Sequence, residues 1–464
     1  MTPTWAQVTY LVAAVCFILA LKGLSSPRRA RNGNLIGAAG ALIACVAVFF
    51  AQDLNHLPLI LGAIVVGSVL GVAGAQRVRM TQMPQLVALL NGVGGAAAAI
   101  VAMIELGDLG DYPEGLADGA VTRAVLAAVV TLLIGGISFS GSIVTFAKLQ
   151  ELMTTRPVTF PGLAVAFGGS LLAGVALAVV LVLHPVVWIG VLLALVGLLL
   201  GVLLVLPVGG ADVPIVISLL NAFTGLSVAA EGYVLGNIVL LVGGTLVGAS
   251  GTFLTKMMAT AMGRSLQNIL FGALKGGSTL GGGEASDRPV RSASAEDIAI
   301  LLAYAHRVII VPGYGLAVAQ AQHSLRELVD VLGDKGIEVD YAIHPVAGRM
   351  PGHMNVLLAE AQVPYEQLKE MDEINSEFRQ ADVVLVVGAN DVVNPAARTT
   401  PSAPIYGMPI LNASDAQQVV FMKRSMRPGF AGIENELLFD PKTTLLFGDA
   451  KDTMSKLLAA VKSH

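Results

Sequence analysis

Long apolar runs occupy about the first 260 positions of the chain, and polar residues within them are rare. A helix that crosses a bilayer needs about 20 mostly apolar residues. Nine runs reach that length, at 3–22, 34–51, 57–75, 84–104, 121–147, 161–183, 185–206, 213–232 and 235–262. The pattern predicts a polytopic α-helical membrane domain with about nine transmembrane helices and its two ends on opposite sides of the membrane.

A different pattern begins near residue 294, where β-branched runs alternate with amphipathic stretches. Strands are predicted at 307–311, 337–343, 382–387, 409–411, 419–422 and 443–447, and helices at 295–306, 317–332, from 354 onward and at 450–462. Such alternation is typical of a Rossmann-like α/β domain with a doubly wound parallel sheet. We therefore divide the chain into a membrane domain (1–264), a glycine-rich flexible linker (265–293) and an α/β domain (294–464).

Composition agrees with this division. Of the 464 residues, 55% are hydrophobic and 13% charged, whereas soluble proteins have about 25% charged residues. The net charge of −4 gives no reason to expect a nucleic-acid partner. Cys16 and Cys45 lie in apolar spans without a disulfide or metal framework, so no metal site is expected. The first span lacks a basic leading region and a cleavage site, which favours a spanning helix over a signal peptide.

Basic residues cluster after the odd-numbered spans, and this sets the predicted orientation. Cytoplasmic loops of membrane proteins carry an excess of Lys and Arg. The residues are Lys22, Arg28, Arg29 and Arg31 after span one, Arg77 and Arg79 after span three, Lys148 and Arg156 after span five, and Arg264 after span nine. The N-terminus is therefore predicted outside and the α/β domain in the cytoplasm.

A few polar side chains fall inside the spans, where they are costly and are therefore candidates for function. They are Asn91 on span four, Ser138, Ser140 and Ser142 on span five, and Asn221 on span eight, behind Asp212 and with Glu231 near the outer end of the same span. Interhelical hydrogen bonding is the alternative role, and we favour it for the serines. For Asn91, Asn221 and Asp212 we favour a transport path, and we expect Asp212 and Asn221 on one face of their helix.

The first strand of the α/β domain leads into the glycine turn Gly313-Tyr314-Gly315 and then into a helical pattern. This is the opening of a dinucleotide-binding βαβ unit. Gly313 permits a tight turn, and Gly315, which lacks a Cβ, would let the backbone approach a pyrophosphate. Val318 stands where Gly or Ala is usual, so looser helix–strand packing is expected there. An ordinary βα turn explains the same glycines about equally well.

Cations, rather than an acid, follow the strands where a ribose would bind. An NAD site usually has an acid at the end of the second strand, but here His344 follows that strand and Asp340 lies too early. Arg349, Lys423 and Arg424 follow strand ends instead, and such cations suit a 2′-phosphate. The pattern favours NADP over NAD.

Several longer blocks carry a resemblance to one known family. These blocks are 312–322, 343–361, 370–375, 387–397 and 423–426. They resemble the β subunit of the proton-translocating nicotinamide nucleotide transhydrogenases, and the resemblance extends over essentially the whole chain. It implies that the α/β domain binds NADP(H). It also implies that NAD(H) is bound by a separate α subunit, since this chain has only one nucleotide-binding fold.

The resemblance also implies a set of site residues. Those expected to bind NADP(H) are Gly313, Tyr314, Gly315, Ala317, Val318, Val346, Ala347, Gly348, Arg349, Gly388, Ala389, Asn390, Asp391, Lys423, Arg424, Ser425, Gly429, Phe430, Gly448 and Asp449. Asp391 is expected near the nicotinamide, and Asp391 and His344 are the candidate catalytic residues that sense protonation there. Phe430 stands where many members of the family have a tyrosine.

In the membrane domain, the candidate proton path comprises Asn91, Ser138, Asp212, Asn221 and Arg264. Many members of the family have a histidine where this chain has Asn91. Because asparagine cannot titrate, the protonatable group must lie elsewhere. One alternative is a protonatable group on a membrane helix of the α subunit. The other is a water chain that passes Asn91 and Asn221 and carries the proton.

The implied function is hydride transfer of the Si/Re-specific type, from NADH on the α subunit to NADP+ on this chain, coupled to inward proton flow. The expected partners are one or more α subunits with further membrane helices, the lipid bilayer of a cell inner membrane, and a second αβ unit in a homodimer. A channel or carrier gated by an NADP(H)-sensing domain is the alternative. A membrane-anchored NADP-binding scaffold is a third interpretation.

Overall fold

The computed structural model describes residues 3–24, 27–51, 54, 56–78, 82–109, 119–150, 152–154, 157–209, 212–261, 266–271, 288–348, 352–401, 403, 405–429 and 433–463. The chain separates into two compact units, Met1–Thr255 and Lys256–His464. The first unit contains only helices, and the second is built on a β-sheet.

Nine helices among the described residues are long and apolar enough to cross a membrane. They are α1 (Thr4–Leu24), α2 (Pro27–Ala51), α3 (Leu57–Arg77), α4 (Met83–Leu109), α5 (Gly119–Leu149), α6 (Leu163–Leu183), α7 (Val187–Val205), α8 (Val213–Val234) and α9 (Ile238–Ala261). Their apolar length is what a bilayer requires, because only a helix satisfies its own backbone groups there. The predicted polytopic helical fold is confirmed.

Helices α5 and α8 form the centre of the first unit, because half of the residues in an apolar 18-residue stretch of each helix are buried, whereas no residue of α3 is buried. Glycines allow the helices to approach closely. A Cβ on Gly135 of α5 would lie 2.8 Å from the Gly95 carbonyl oxygen of α4, and one on Gly251 of α9 would lie 2.9 Å from the Ala222 nitrogen of α8. The small residues of these spans are therefore explained by packing.

The second unit contains α10 to α17 and six strands. They are α10 (Leu266–Phe271), α11 (Ala295–Ala303), β1 (Arg307–Pro312), α12 (Tyr314–Ala319), α13 (Gln322–Asp334), β2 (Glu338–Ile343), α14 (His353–Glu360), β3 (Leu368–Glu370), α15 (Met371–Ile374), β4 (Val383–Val387), α16 (Ala396–Thr399), β5 (Gln418–Lys423), β6 (Thr443–Phe447) and α17 (Ala450–Ser463). The predicted Rossmann-like alternation of strands and helices is confirmed.

All six strands are parallel, in the order β3-β2-β1-β4-β5-β6. Side chains alternate between the two faces of the sheet. On β1, Val308 and Ile310 enter one apolar core with α11, α13, α14 and α17, while Ile309 and Val311 enter a second core covered by shorter segments. Both faces are covered, as a buried parallel sheet requires.

Three expectations about this unit were wrong in detail, and one short strand was not predicted. The helix predicted at 317–332 is two helices, α12 and α13, because Gln320 adopts a left-handed conformation (φ 52°) that interrupts the helix. Val318 is exposed, so it does not loosen helix–strand packing. Residues 409–411 form no strand, whereas the short strand β3 was not predicted.

The expected linker at 265–293 also contains ordered segments. Helix α10 lies inside it, and Ser292 forms a parallel bridge with Leu445 of β6. The N–H of Leu445 donates to the Arg291 carbonyl at 2.8 Å, and Arg288 pairs with Glu436 at 3.0 Å. Backbone hydrogen bonds to the sheet therefore begin before the expected boundary at 294.

Candidate functional site

Two glycine turns meet where β1 and β4 end side by side. The N–H of Gly313 donates to the Val387 carbonyl, and the N–H of Gly315 donates to the Gly388 carbonyl, both at 2.9 Å. A Cβ on Gly315 would lie 2.7 Å from the Gly388 Cα, and Gly388 itself has a φ of +70°. Packing against the second turn therefore requires a glycine at position 315, independently of any contact between Gly315 and a pyrophosphate.

These turns lie at the switch point of the sheet. From β1 the chain passes to β2 and β3 on one side, and it then returns to place β4 on the other side of β1. In open parallel sheets, ligands bind in the crevice outside the carboxyl ends of strands at this point. Gly313, Tyr314, Gly315, Gly388 and Ala389 of the predicted site lie together there.

A charged cluster extends from the second turn to the end of β5. The Lys423 ammonium donates to the Asn390 side-chain oxygen at 3.2 Å and to the Arg427 carbonyl at 3.3 Å. The Asn390 amide donates to Asp391 Oδ1 at 3.0 Å, and the Asn435 amide donates to the Asn390 carbonyl at 3.0 Å. Burial lowers the pKa of Lys423, and the nearby Asp391 carboxylate opposes that shift.

The remaining predicted residues at this edge differ in exposure. Arg424 and Ser425 are exposed just beyond β5, where their side chains are available to a ligand. A Cβ on Gly429 would lie 2.5 Å from Asp391 Oδ1, so this glycine packs directly against the cluster. Gly448 donates to the Lys423 carbonyl at 3.0 Å. Asp449 accepts from the Lys451 N–H at 3.0 Å and caps the start of α17.

His344 is buried, and both of its ring nitrogens are engaged. Its Nε2 is 2.8 Å from the Pro409 carbonyl, to which it donates, and its Nδ1 accepts from the Val346 N–H at 3.2 Å. Burial lowers the pKa of His344 to about 4. His344 therefore anchors the loop after β2 as a neutral side chain, and its role in sensing protonation near the cofactor stays a prediction.

Other predicted residues contribute to the core or lie outside the described part. Ala317 and Ala347 are buried in the apolar core. The Tyr314 and His353 rings lie 6.3 Å apart, which brings the first glycine turn close to the start of α14. A Cβ on Gly348 would lie 2.7 Å from the Cβ of His353. The predictions for Arg349, Phe430 and Arg264 fall outside the residues that the structure describes.

Inside the membrane unit, Asn91 begins a row of polar side chains between α4, α5 and α8. Its amide nitrogen lies 3.2 Å from Ser138 Oγ and 3.0 Å from Ser142 Oγ. Ser138 Oγ lies 2.5 Å from Thr224 Oγ1. Asn91 Oδ1 is buried and has no hydrogen-bond partner among the described residues. One acceptor therefore remains for a water molecule or a side chain of another subunit.

The row continues from Thr224 along α8. Ser227 follows one turn later, and its carbonyl accepts from Thr131 Oγ1 of α5 at 3.3 Å. Glu231 lies on the next turn of α8, and its carboxyl group is beside Thr131 of α5. The side chains of Thr131, Ser227 and Glu231 are all buried. We name these residues the polar row: Ser142, Asn91, Ser138, Thr224, Ser227, Thr131 and Glu231.

Two other predicted polar residues of the membrane unit, Asp212 and Asn221, lie outside the polar row. Asp212 is buried immediately before α8, and Asn221 is half-buried on that helix. The expectation that they share a face is wrong, because nine residues are two and a half turns, which is half a turn from alignment. Ser140 donates to the Leu198 carbonyl of α7 at 2.7 Å, which is the structural role expected for the serines.

Lys148 also has a different position from the one expected. It is fully buried in the last turn of α5. Its ammonium donates to the carbonyls of Val205, Leu206 and Val208 at 3.1, 2.6 and 2.7 Å, at the end of α7. A cation at this position satisfies carbonyls that the helix leaves unpaired. Lys148 therefore joins two helices and is not a loop residue.

Sequence reasoning missed Thr131, Thr224, Ser227 and Asn435. Thr224, Ser227 and Glu231 are spaced by three and four residues, which places them on one face of α8. That spacing was visible in the sequence. Asn435 gave no such signal, because its contact with Asn390 joins positions 45 residues apart.

Two features define the class of this protein. Its apolar helices are joined by a polar row, and the glycine turns and cations of its parallel sheet meet at the switch point. It is a multi-pass membrane protein with a dinucleotide-binding type of α/β unit. The family model described as NAD(P) transhydrogenase beta subunit matches residues 6–460. A curated NAD(P) transhydrogenase subunit beta of Rhodospirillum rubrum is 47% identical over 463 residues, which cover 99% of this chain and 100% of the relative. A second sequence of that name, from a named strain of the same species, matches equally.

This chain belongs to the NAD(P) transhydrogenase beta subunit family. The predicted resemblance is therefore confirmed. Membership implies use of NADP(H) and NAD(H), and a subunit called beta implies a partner alpha subunit.

Proposed function

We propose that this chain binds NADP(H) at the switch point of its sheet and exchanges hydride with NAD(H) held by an α subunit. Hydride transfer is coupled to proton movement through the membrane helices. The observation that carries the proposal is the meeting of Gly313–Gly315, Gly388–Asp391 and Lys423 at one edge of a parallel sheet. In this proposal residues 1–264 form the translocating part and the α/β unit forms the nucleotide-binding part.

The residues at that edge fit a phosphorylated dinucleotide. Gly313, Gly315 and Gly388 have no side chains, so the backbone at these positions can approach a pyrophosphate. Arg424 and Ser425 are exposed beside Lys423, and together they offer donors to the three oxygens of a 2′-phosphate. Glu370 ends β3 rather than β2, so the position that would accept from an NAD ribose lacks an acid. These features favour NADP(H) over NAD(H).

The nicotinamide ring supplies the hydride chemistry when it is bound, and the residues of this chain position it. Asn390 and Asp391 are held by Lys423 and Asn435 at the mouth of the crevice. Gly429 closes against them from the segment after β5. Juxtaposing two rings in a site that excludes water accounts for most of the catalysis in such a transfer. Asp391 is the proposed catalytic residue, and His344 anchors the loop after β2.

Coupling requires that proton binding in the membrane and nucleotide affinity change together. Such coupling is reciprocal. If protonation changes the affinity for NADP(H), then binding of NADP(H) changes the affinity for the proton by the same factor. The polar row provides a route between helices that is otherwise apolar, and the free Asn91 Oδ1 can accept from water or the α subunit. We propose Asp212, Asn221 and Arg264 as further residues of this route.

The sidedness and the assembly also belong to the proposal. Basic residues after the odd-numbered helices favour an outer N-terminus and a cytoplasmic α/β unit. The membrane is proposed to be a cell inner membrane, and the complex a homodimer of αβ units with Si/Re-specific transfer. The NAD(H) site lies on the α subunit in this scheme, because the described residues contain one six-stranded nucleotide-binding-type sheet.

Vesicles that contain this chain and its α subunit test the function. NADH and an NADP analogue should react, and the pH of the lumen should change in step with the reaction. Hydride transfer without a pH change would contradict proton coupling. Ion flux that NADP gates in the absence of hydride transfer would favour the gated channel or carrier.

Replacing the cations tests the choice of cofactor. We expect Lys423→Ala with Arg424→Gln to weaken NADP binding by about 10² to 10⁴, since each lost charge-assisted hydrogen bond costs about 1.5–3 kcal/mol. NAD binding should change little, and isothermal titration of the purified complex measures both affinities. Lys335→Ala is the matched control, because Lys335 is exposed before β2 at the opposite edge of the sheet. Equal losses for both cofactors would contradict recognition of the 2′-phosphate.

A further inference from the structure

Glu231 is a buried acid inside the membrane unit. Its side chain lies in the last turn of α8 and is only 4% exposed. Neither carboxyl oxygen has a hydrogen-bond partner among the described residues. A buried carboxylate without a counter-ion is so costly that the group is retained only when it is neutral or functional.

A second acid lies beside it. Glu105, in the last turns of α4, and Thr131 of α5 are the side chains next to the Glu231 carboxyl group. Asp108, which is exposed on α4, acts on Glu105 from the same end of the helices. Arg123 of α5 and Tyr233 of α8 line an apolar groove of about 440 Å³, and neither acid is among the residues that line it. Two neighbouring carboxyl groups cannot both ionise at low cost, so such a pair shares a proton.

The pair stands at one end of the polar row. Thr131 and Ser227 lead from Glu231 towards Thr224, which lies 2.5 Å from Ser138. Ser138 in turn contacts Asn91 at 3.2 Å. Each of these groups has a hydroxyl or amide that can hold a proton chain with water, but none of them titrates near neutral pH. A path built on the row therefore needs a titratable group, and Glu231 and Glu105 supply one on this chain.

We propose that Glu231 and Glu105 form a proton-binding site that serves the polar row, in place of a titratable side chain at Asn91. The inference rests on the proposed proton-coupled function and assigns its titrating group. The step is a proton transfer only. A hydronium gives its proton to a carboxylate oxygen of the pair and becomes water, and the same oxygen later releases the proton to a water of the row, so no electrons move.

The test uses the complex of this chain and its α subunit in vesicles. Glu231→Gln keeps the shape of the side chain but cannot release a proton. We expect proton-coupled turnover to fall by about 10², the usual contribution of a positioned proton-transfer group. Single-turnover hydride transfer between bound nucleotides should be kept within about twofold. Glu231→Asp should recover much of the turnover, and Glu105→Gln should shift its pH profile.

Glu360→Gln is the matched control, since it removes a carboxyl group that is exposed on α14, and its turnover should equal that of the wild type. If the wild type transfers hydride but moves no protons, the proposed function fails and the site with it. If the wild type moves protons and Glu231→Gln moves them at the same rate, only the proton-binding site is overturned.

Infrared spectroscopy covers the case in which a variant assembles poorly. In difference spectra of the complex between acid and alkaline pH, we expect a C=O stretch from a protonated carboxylic acid that shifts in deuterated water. That band should be absent from Glu231→Gln and displaced in Glu105→Gln. A band that is unchanged in both variants would overturn the assignment.

Discussion

The two units of this protein bury titratable side chains in opposite ways. In the α/β unit, His344 is buried with both nitrogens hydrogen-bonded to the backbone. In the membrane unit, Glu231 is buried to a similar extent, and neither oxygen of its carboxyl group has a hydrogen-bond partner among the described residues. The first arrangement stabilises a loop, whereas the second leaves a group whose protonation can change.

The difference teaches that burial alone does not mark a functional acid or base. A buried polar group that is fully satisfied contributes stability and stays in one protonation state. A buried polar group that is unsatisfied costs stability, so its presence needs another reason. By this criterion the hydrogen bonds of His344 fit a structural role, and Glu231, which the sequence showed only as one polar residue near the outer end of its span, becomes the stronger candidate for a group that changes protonation.

The largest predicted effect concerns His344. His344→Leu leaves the Pro409 carbonyl and the Val346 N–H unpaired in the core, so we expect it to lower the free energy of unfolding by about 3 kcal/mol. Hydrogen exchange of the β2 amides in the purified full chain measures this loss. A loss below about 1 kcal/mol would show that the two hydrogen bonds contribute little, and the comparison with Glu231 would fail.

The same residue gives a pH dependence of known sign. Its pKa is about 4 in the fold against an ordinary value of 6.5, so the unfolded chain binds its proton first. The stability that neutral His344 provides is complete above pH 6.5 and decreases as the pH falls towards 4. The slope is roughly 1.4 kcal/mol per pH unit for one proton. In His344→Leu this component should be absent, which separates it from the titration of surface acids.

A smaller effect is expected at Arg307, where buried charges are paired. Arg307 contacts Asp340 at 3.2 Å and also pairs with Glu377, at the amino ends of the strands. Burial raises the pKa of Asp340, and Arg307 opposes that shift. Arg307→Gln should therefore lower the unfolding free energy by about 2 kcal/mol, because it leaves Asp340 without its counter-ion. Hydrogen exchange of the β1 amides provides the measurement.

Two further variants sharpen that result. Adding Asp340→Asn to Arg307→Gln should restore part of the loss, since the uncompensated charge is then removed. Arg288→Gln is the surface control, because Arg288 pairs with Glu434 and Glu436 in an exposed position and such pairs contribute little. If Arg307→Gln and Arg288→Gln lower the free energy of unfolding equally, burial of the charge does not explain the contribution of Arg307.

Much of this fold could be predicted because it depends on local patterns. Apolar length alone identified the nine helices, and the β-branched run with its glycine turn identified β1. The break at Gln320 escaped prediction, because a glutamine within an amphipathic pattern gives no sign of the left-handed conformation that ends α12. The strand predicted at 409–411 is instead an irregular segment, whose Pro409 carbonyl accepts from His344.

The candidate site was less predictable, for a physical reason. The sequence shows which glycines and cations follow strands. The contacts that bring these residues into one site, however, join positions that are far apart in the sequence. Gly315 packs on Gly388, and Lys423 contacts Asn390, across separations that no periodicity reveals. Likewise, the carboxyl group of Glu231 becomes notable only when its surroundings are known to lack a hydrogen bond.

The smallest effect on stability is expected for two serines of α5 that the sequence does not distinguish. Ser140 donates to the Leu198 carbonyl of α7, and Ser138 belongs to the polar row between Asn91 and Thr224. An interhelical hydrogen bond in a membrane contributes about 0.6 kcal/mol. Ser140→Ala and Ser138→Ala should therefore lower the thermal midpoint of the complex in detergent by similarly small amounts.

Their effects on turnover should differ. Ser138→Ala interrupts the row next to Asn91, so proton-coupled turnover in vesicles should fall several-fold, while Ser140→Ala should keep the wild-type rate. The two variants thus separate stability from transport within one helix turn. The hydroxyl group of Ser140 contributes to helix packing, whereas that of Ser138 belongs to the proposed proton path. If Ser140→Ala slowed turnover as much as Ser138→Ala, the loss would reflect helix packing, and the polar row would have no special part in transport.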